Sequence, residues 1–146
     1  MSSRDGEQLV GRWRLVSYVV RADDGSLAFP LGRSPQGSLL YTAGGWMAAQ
    51  VGAADRVRFT TEDPLGASEA ERALAFSSYL AYCGPYDVAG DVVTHHVAMS
   101  WFPNWVGTEQ ARSFELVGDE LLLRTPPIEV GGRMLVSEFR WRREEA

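Results

Sequence analysis

The strongest constraint on the fold of this chain is a series of short β-like segments separated by Gly, Pro and Asp residues. Alternating apolar residues between such turn residues are typical of an antiparallel sandwich or barrel. We predict eight or nine strands, over residues 11–21, 38–41, 46–51, 57–60, 86–88, 92–101, 109–117, 120–125 and 133–142. In the first strand, alternation places four residues on one face, namely Trp13, Leu15, Ser17 and Val19. About eight strands can close into a barrel that has no edges and has room for one small ligand.

One helix is predicted to interrupt the strands, over residues 68–83. Ser68 and Glu71 have the spacing of a capping box, in which the two side chains satisfy each other's backbone N–H groups. Gly84 followed by Pro85 is a helix-stop signal, because glycine adopts the C-cap conformation and proline cannot continue the helix. The expected fold is therefore an all-β antiparallel barrel with one α-helix, forming a single domain over residues 1–146.

The charge and hydropathy pattern excludes several classes of function. The net charge is −5 and the pI is about 5.0, whereas a nucleic-acid-binding domain needs a basic surface. No apolar run is long enough to span a bilayer, and the N-terminal segment MSSRDGEQLV lacks the pattern of a signal peptide. The single cysteine cannot form an internal disulfide. We expect a cytoplasmic protein that binds neither nucleic acid nor membrane.

The residue inventory also limits the chemistry. All 14 basic residues are arginine, so a Schiff base on a lysine amine is excluded. No Cys, His or carboxylate cluster has the spacing of metal ligands, and the paired glycines have the positions of hairpin turns rather than of phosphate-binding loops. We therefore expect no metal and no cofactor.

The segment 79–112, YLAYCGPYDVAGDVVTHHVAMSWFPNWVGTEQAR, concentrates the residues that could recognise a ligand. It contains both histidines, the only cysteine and the only asparagine, together with six aromatic residues. Such side chains can hydrogen-bond, transfer protons and stack on a flat molecule. The composition of the segment indicates a small-molecule pocket in the barrel.

The adjacent histidines His95 and His96 must point to opposite faces of their strand, so they cannot bind one metal together. His95 shares the more apolar face, which favours the interior, and a bulge would reverse this assignment. Catalysis by either histidine competes with a simpler interpretation, in which one lies on the surface and the other is hydrogen-bonded in the barrel wall.

Arg112 shares a face with Gln110, Phe114 and Leu116, and the apolar pair indicates that this face looks into the barrel. A buried guanidinium needs a partner. That partner could be a carboxylate, enolate or phenolate of a ligand, or an internal carboxylate such as Glu138 or Asp87.

The remaining candidates are aromatic or polar residues that could line the cavity. Tyr79 and Tyr82 would share one side of the predicted helix, and residues 103–107 would form an aromatic loop at the barrel mouth. Core packing explains each residue taken singly, but together they suit a flat, largely apolar ligand. The candidate ligand-binding residues are Trp46, Tyr79, Tyr82, Tyr86, Met99, Trp101, Trp105, Gln110 and Phe114.

Gly11-Arg12-Trp13, with Arg140 and Arg142 in the last strand, resembles the lipocalin and wider calycin pattern. There a first-strand tryptophan closes one barrel end and a last-strand arginine packs across it, an arrangement that a cation–π contact stabilises. Further segments resemble the bacterial and fungal lipocalin-like domain family: LVGRWRLVSY, PLGRSPQGSLLYTAGGWMAAQ, AYCGPYDV, HHVAMSWFPNWVGTEQARSFEL and LLLRTPP. The resemblance implies a small barrel with a ligand cavity, often linked to natural-product metabolism, and in some members a cyclase or isomerase.

Three functional hypotheses follow. In the first, the barrel binds a small, mainly apolar, aromatic or polyketide-like molecule and could catalyse its isomerisation, cyclisation or dehydration; the candidate catalytic residues are His95, His96, Arg112 and Tyr41. In the second, the protein is a carrier or sensor that releases its ligand unchanged. In the third, the barrel is filled by its own side chains and serves as a structural or interaction domain. A homodimer is compatible with each hypothesis.

Overall fold

A computed structural model describes residues 6–144. Eight antiparallel strands form a closed barrel, and three short strands are added to it. The barrel strands are β1 (Gly11–Ala22), β3 (Gln36–Tyr41), β4 (Trp46–Gly52), β5 (Tyr79–Ala89), β6 (Val92–His96), β8 (Glu109–Val117), β9 (Glu120–Arg124) and β11 (Arg133–Glu144). The short strands are β2 (Leu27–Ala28), β7 (Met99–Ser100) and β10 (Ile128–Val130). Pairing of β1 with β11 closes the barrel, as the predicted fold requires.

The predicted strands at 109–117, 120–125 and 133–142 correspond closely to β8, β9 and β11. The predicted strand over 57–60 is wrong, because these residues lie in the loop that leads to the helix. The strand predicted over 92–101 is interrupted between β6 and β7 at residues 97–98. There the backbone leaves β6, and the Ala98 N–H donates instead to the Cys83 carbonyl at 2.8 Å.

The helix α1 (Glu69–Ser77) is shorter than predicted. The predicted capping box is confirmed: the Glu71 N–H donates to the Ser68 hydroxyl at 3.1 Å, and the Ser68 N–H donates to the Glu71 carboxylate at 3.1 Å. The prediction that the helix continues to residue 83 is wrong, because residues from Tyr79 onward form β5 and pair with β4. Alternation along β5 directs Leu80 and Tyr82 inward, so that burial favours the strand.

Gly84 therefore has a different role from the predicted helix stop. It lies within β5, where an added Cβ atom would collide with the carbonyl oxygen of His96. This close approach of two strands requires a residue without a side chain. Pro85 follows in the same strand, opposite Trp46 on β4.

The core lies inside the barrel and includes Leu9, Trp13, Leu39, Met47 and Val93, which are almost fully buried. None of the residues of α1 is buried, so the helix rests on the outside of the barrel. Among the described residues, no helix is long and apolar enough to cross a membrane.

Candidate functional site

The barrel encloses a cavity of about 490 Å³. Each of the eight barrel strands contributes to its wall, and the mouth is formed by the loops before β3 and β10, the end of α1 and the segment after β7. The lining residues are Tyr18, Pro30, Leu31, Leu39, Ala49, Val51, Ser77, Tyr79, Leu80, Tyr82, His95, Trp101, Trp105, Gln110, Arg112, Leu123, Thr125, Pro126, Pro127, Ile128, Ser137, Phe139 and Trp141. Most of the lining is apolar or aromatic, so the few polar groups determine the orientation of any ligand.

His95 lies inside the barrel, as the apolar face of its strand predicts, and it is 1% exposed. Each ring nitrogen contacts a tyrosine hydroxyl: Nε2 lies 2.7 Å from the Tyr41 oxygen and Nδ1 lies 2.7 Å from the Tyr82 oxygen. Burial, with a smaller contribution from the charge of Arg112, lowers the pKa of His95 to about 3. The imidazole is therefore neutral at pH 7.

Arg112 also lies inside, on the predicted face of β8, and is 8% exposed. Its Nη1 donates to the carbonyl of Ala111 at 2.9 Å, and its positive charge lies near the Tyr82 hydroxyl, where it partly offsets the rise in the pKa of that phenol caused by burial. Neither predicted internal partner reaches it, because Glu138 pairs with Arg21 and Arg124 on the outside. In the part of the chain that the structure describes, Arg112 forms no ion pair with a carboxylate.

His96 lies on the outer face, away from the cavity. Its Nε2 is 2.6 Å from Asp87 and its Nδ1 is 3.2 Å from Glu109. Asp87, the other predicted partner of Arg112, is therefore engaged at the surface. The structure thus brings together three of the four candidate catalytic residues, Tyr41, His95 and Arg112, and leaves His96 apart from them.

Aromatic side chains form the wall near the mouth. Trp105 lies in a short 3₁₀ helix (Pro103–Trp105) and packs edge-on against Tyr82, with ring centroids 5.5 Å apart, and against Trp101 at 5.4 Å. The indole N–H of Trp101 donates to the Phe76 carbonyl of α1 at 3.3 Å. The loop predicted at the mouth therefore contributes a lining residue, and α1 supports it from outside.

Five of the candidate ligand-binding residues line the cavity, namely Tyr79, Tyr82, Trp101, Trp105 and Gln110. Trp46 and Met99 lie on the surface, with 41% and 60% of their areas exposed. Tyr86 donates to the Thr42 carbonyl and packs on Tyr41, and Phe114 packs on the core beyond the cavity. Tyr41 lies behind the wall and is linked to the cavity only through His95.

A second aromatic group lies on the opposite wall and was not predicted from the sequence. Tyr18 stacks on Phe139 with ring centroids 4.2 Å apart, and Ser137 and Trp141 continue this wall along β11. Alternation along the last strand could have identified Ser137, Phe139 and Trp141. Tyr18 could not be identified because a bulge between Leu15 and Ser17 shifts the alternation of β1, so the prediction that Ser17 shares the face of Trp13 and Leu15 is wrong.

The closed end of the barrel contains the predicted Trp13, fully buried, with its indole N–H donating to the Leu9 carbonyl at 2.9 Å. The arginine that covers it is Arg143, 4.2 Å from the ring centroid, because Arg143 lies directly opposite Trp13 in the β1–β11 register. The prediction of Arg140 and Arg142 in this role is wrong: both point outward and pair with Glu120, at 3.1 and 2.8 Å.

Gly11 begins the Gly-Arg-Trp motif and has a positive φ of 133°. A Cβ atom at Gly11 would lie 2.8 Å from Nη1 of Arg143. The backbone conformation therefore favours glycine at this position, and a side chain there would also displace the guanidinium of Arg143 from its place.

A sequence model of the lipocalin-like domain family matches residues 10–144, which includes every strand of the barrel. The chain belongs to the lipocalin-like domain family.

This lipocalin-like chain is 34% identical over 106 residues to the 4'-hydroxy-3'-methoxypropiophenone carrier protein ppsC of Aspergillus oryzae. The alignment covers 66% of this chain and 96% of the fungal protein. Two solved structures are also similar. A lipocalin-like protein from Bacteroides uniformis has 13% identity and a TM-score of 0.48, with 93% of this chain and 98% of that chain covered. An uncharacterized protein from Bacteroides eggerthii has 15% identity and a TM-score of 0.45, with coverages of 93% and 99%.

The chemistry that this lipocalin-like cavity can perform is limited by its hydrogen bonds. Both ring nitrogens of His95 contact tyrosines, and a pKa of about 3 makes the imidazole a weak base at neutral pH. Burial raises the pKa values of Tyr41 and Tyr82 above the usual value of 10.0, so both phenols remain protonated. Among the described residues, no group of three His, Cys, Asp or Glu side chains could hold a metal ion.

Proposed function

We propose that the barrel binds one small, flat, mainly apolar aromatic molecule and releases it unchanged, as a carrier. The observation that carries this proposal is the cavity of about 490 Å³, walled largely by aromatic and aliphatic side chains around one buried arginine. Cavities of roughly 300–1,000 Å³ with few polar groups are typical of small-molecule sites.

The fungal relative supports the choice of ligand class and of carriage over catalysis. That protein is a carrier of 4'-hydroxy-3'-methoxypropiophenone, an aryl ketone with a hydroxyl and a methoxy group on the ring. The bonded, weakly basic His95 also favours carriage, because an acid–base reaction needs a group that can exchange protons near neutral pH. A filled barrel, the structural alternative, is not favoured by a cavity of this size.

The test is thermal-shift and calorimetric titration with aryl ketones, starting with 4'-hydroxy-3'-methoxypropiophenone, followed by recovery and mass analysis of the ligand. We expect saturable binding in the micromolar range or tighter and recovery of the ligand without a change in mass or retention time. A panel that neither shifts the melting temperature nor produces heat would refute binding.

A matched pair of variants locates the binding within the barrel. Ala49 lines the cavity, whereas its neighbour Ala48 lies on the other face of β4. Ala49→Phe should abolish binding by filling the space, and Ala48→Phe should leave the affinity within about twofold, because successive strand residues face opposite sides. Equal loss of binding in both variants would place the ligand outside the barrel.

Catalysis is the second candidate, and it is favoured by the adjacent donors Tyr82 and Arg112, which could stabilise negative charge that develops on an oxygen during isomerisation or cyclisation. Under this proposal the recovered ligand would differ from the one supplied, and Arg112→Gln would remove the conversion. The cytoplasmic location and the homodimer stay predictions. Native mass spectrometry of protein from its host would test the homodimer and detect a retained ligand.

A further inference from the structure

His95 contributes a single proton to the polar network beside the cavity. A neutral imidazole has one N–H donor and one lone pair, and both nitrogens contact a tyrosine oxygen at 2.7 Å. The pKa of about 3 makes this neutral form the one present at pH 7. One tyrosine therefore donates to the ring, and the other accepts from it.

Tyr41 determines which of the two donates. It is 1% exposed, and within residues 6–144 the only hydrogen-bond partner of its hydroxyl is Nε2 of His95. If Tyr41 accepted a proton from Nε2, its own buried O–H would have no acceptor, which is unfavourable. Tyr41 must therefore donate to Nε2, and Nδ1 then carries the ring proton and donates to the Tyr82 oxygen.

Tyr82 lies near the guanidinium of Arg112 on the cavity wall and consequently accepts one hydrogen bond, from Nδ1 of His95. Its own proton has no acceptor among the described residues, since guanidinium groups only donate. Trp141, another lining residue, also has a buried indole N–H without a partner. The cavity wall therefore presents two donors without acceptors among the described residues, the Tyr82 hydroxyl and the Trp141 indole N–H, together with the buried cation of Arg112.

We infer that Tyr82 and Arg112 together bind one negatively charged oxygen, so that the ligand is an aromatic oxyanion, either an ionised phenol or an aryl carboxylate. A buried arginine without a carboxylate is strongly favoured to acquire an anionic partner. A neutral carbonyl would satisfy the donors but not the charge. This inference rests on the proposed function, because it specifies the ligand of the same cavity.

The inference has a measurable consequence for a phenolic ligand. An opposite charge within about 4–6 Å lowers the pKa of an acid by about 1–3. A phenol bound at Arg112 should therefore ionise at a lower pH than the same phenol free in solution. 4-Nitrophenol is a suitable probe, because only its ionised form is yellow.

The experiment compares 4-nitrophenol, 4-nitrobenzoate and the neutral analogue 4-nitroanisole by calorimetry and by spectrophotometric pH titration. For the wild-type protein we expect an anionic probe to bind on the order of tenfold or more tightly than 4-nitroanisole, and bound 4-nitrophenol to turn yellow at lower pH than free 4-nitrophenol. Tighter binding of 4-nitrobenzoate would identify a carboxylate ligand, and tighter binding of 4-nitrophenol would identify a phenolate.

Four variants assign the effect to the two donors. Arg112→Gln should remove the preference for anions and the pKa decrease, and Arg112→Lys should retain part of both. Tyr82→Phe should weaken anion binding by about three- to tenfold, the effect of one hydrogen bond. Arg58→Gln makes the same change in charge at an exposed residue and should behave as wild type. Thermal melting establishes whether each variant is folded. If Arg112→Gln does not fold, the pH titration of 4-nitrophenol bound to the wild-type protein tests the inference without it.

The outcomes separate this inference from the proposed function. Equal binding of 4-nitroanisole and the anionic probes to wild type would overturn the inference, but would leave the barrel as a carrier of neutral aromatic molecules. Loss of the anion preference in Arg58→Gln as strongly as in Arg112→Gln would also overturn it. If neither the probes nor any aryl ketone binds, the proposed function itself fails.

Discussion

The closed end of the barrel and the wall of its cavity each contain a tryptophan and an arginine, but their hydrogen bonding differs. At the closed end, the Trp13 N–H donates to the Leu9 carbonyl, and Arg143 donates to the carbonyls of Val10 and Gln8 at 2.8 and 2.7 Å. In the cavity wall, the Trp141 N–H has no partner among the described residues, and Arg112 has no carboxylate. The closed end is complete without a ligand, which is expected of a structural element, whereas the cavity wall has polar groups that an acceptor from outside the chain could satisfy.

The largest expected difference between the closed end and the cavity wall is in their contribution to the free energy of unfolding. Replacing the fully buried Trp13 with Ala should lower the free energy of unfolding by about 3–5 kcal/mol, because it leaves a cavity at the closed end. Trp105→Ala, at the half-exposed mouth, should cost less. Urea denaturation of both variants checks this prediction, and an equal loss would contradict the assignment of Trp13 as the structural residue.

Acid should destabilise the cavity wall through the buried His95. The pKa of His95 is about 3 when folded and near 6.5 when unfolded, so between these values only the unfolded state gains the proton. This contribution to stability is complete above pH 6.5 and decreases as the pH falls towards 3, by roughly 3 kcal/mol between pH 7 and 4.

The matched variants for this measurement are His95→Gln and His96→Gln. Denaturation at several pH values should show a weaker acid dependence in the first than in the second, which keeps the buried imidazole of His95. Hydrogen bonds from arginines lower the pKa values of Glu120 and Glu138, so protonation of these carboxylates also destabilises the protein in acid. This contribution is present equally in the wild type and in both variants. An undiminished acid dependence of His95→Gln would contradict the buried neutral imidazole.

The smallest expected effect is the difference in stability between variants of the two arginines, Arg143 and Arg112. Arg143→Gln should lower the free energy of unfolding by about 1–2 kcal/mol, because it removes two hydrogen bonds and the contact with Trp13. Arg112→Gln should leave stability unchanged or raise it, because it replaces a buried cation that lacks a carboxylate. Thermal melting measures both, and a larger loss in Arg112→Gln would show that Arg112 is structural.

Periodicity predicted the parts of the fold that local pattern determines. Alternation identified β8 and the inward positions of Arg112 and His95, and capping chemistry identified the start of α1. Local sequence pattern failed to predict the structure where two segments distant in sequence meet. The bulge that turns Tyr18 inward depends on pairing with β11, and Gly84 is required by the backbone of His96 rather than by a helix end.

The candidate site, too, was predicted from the sequence only in part. Residue types indicated an aromatic cavity with a histidine and an arginine, but not which hydrogen bonds those residues form. The tyrosines on both sides of His95 come from β3 and β5, and the absence of a carboxylate beside Arg112 follows from Glu138 facing outward. These contacts depend on how distant strands pair in the closed barrel, and the local sequence pattern does not indicate that pairing.

The register between the first and last barrel strands also has a consequence for synthesis. Arg12 pairs with Glu144 and Ala22 with Leu135, so the barrel closes only through contacts between segments more than 100 residues apart. During translation, β1 must wait for β11 to leave the ribosome, and Ser137, Phe139 and Trp141 join the cavity wall at that last step. The cavity is therefore complete only after β11 has paired with β1, and until then the open sheet edges are exposed to aggregation.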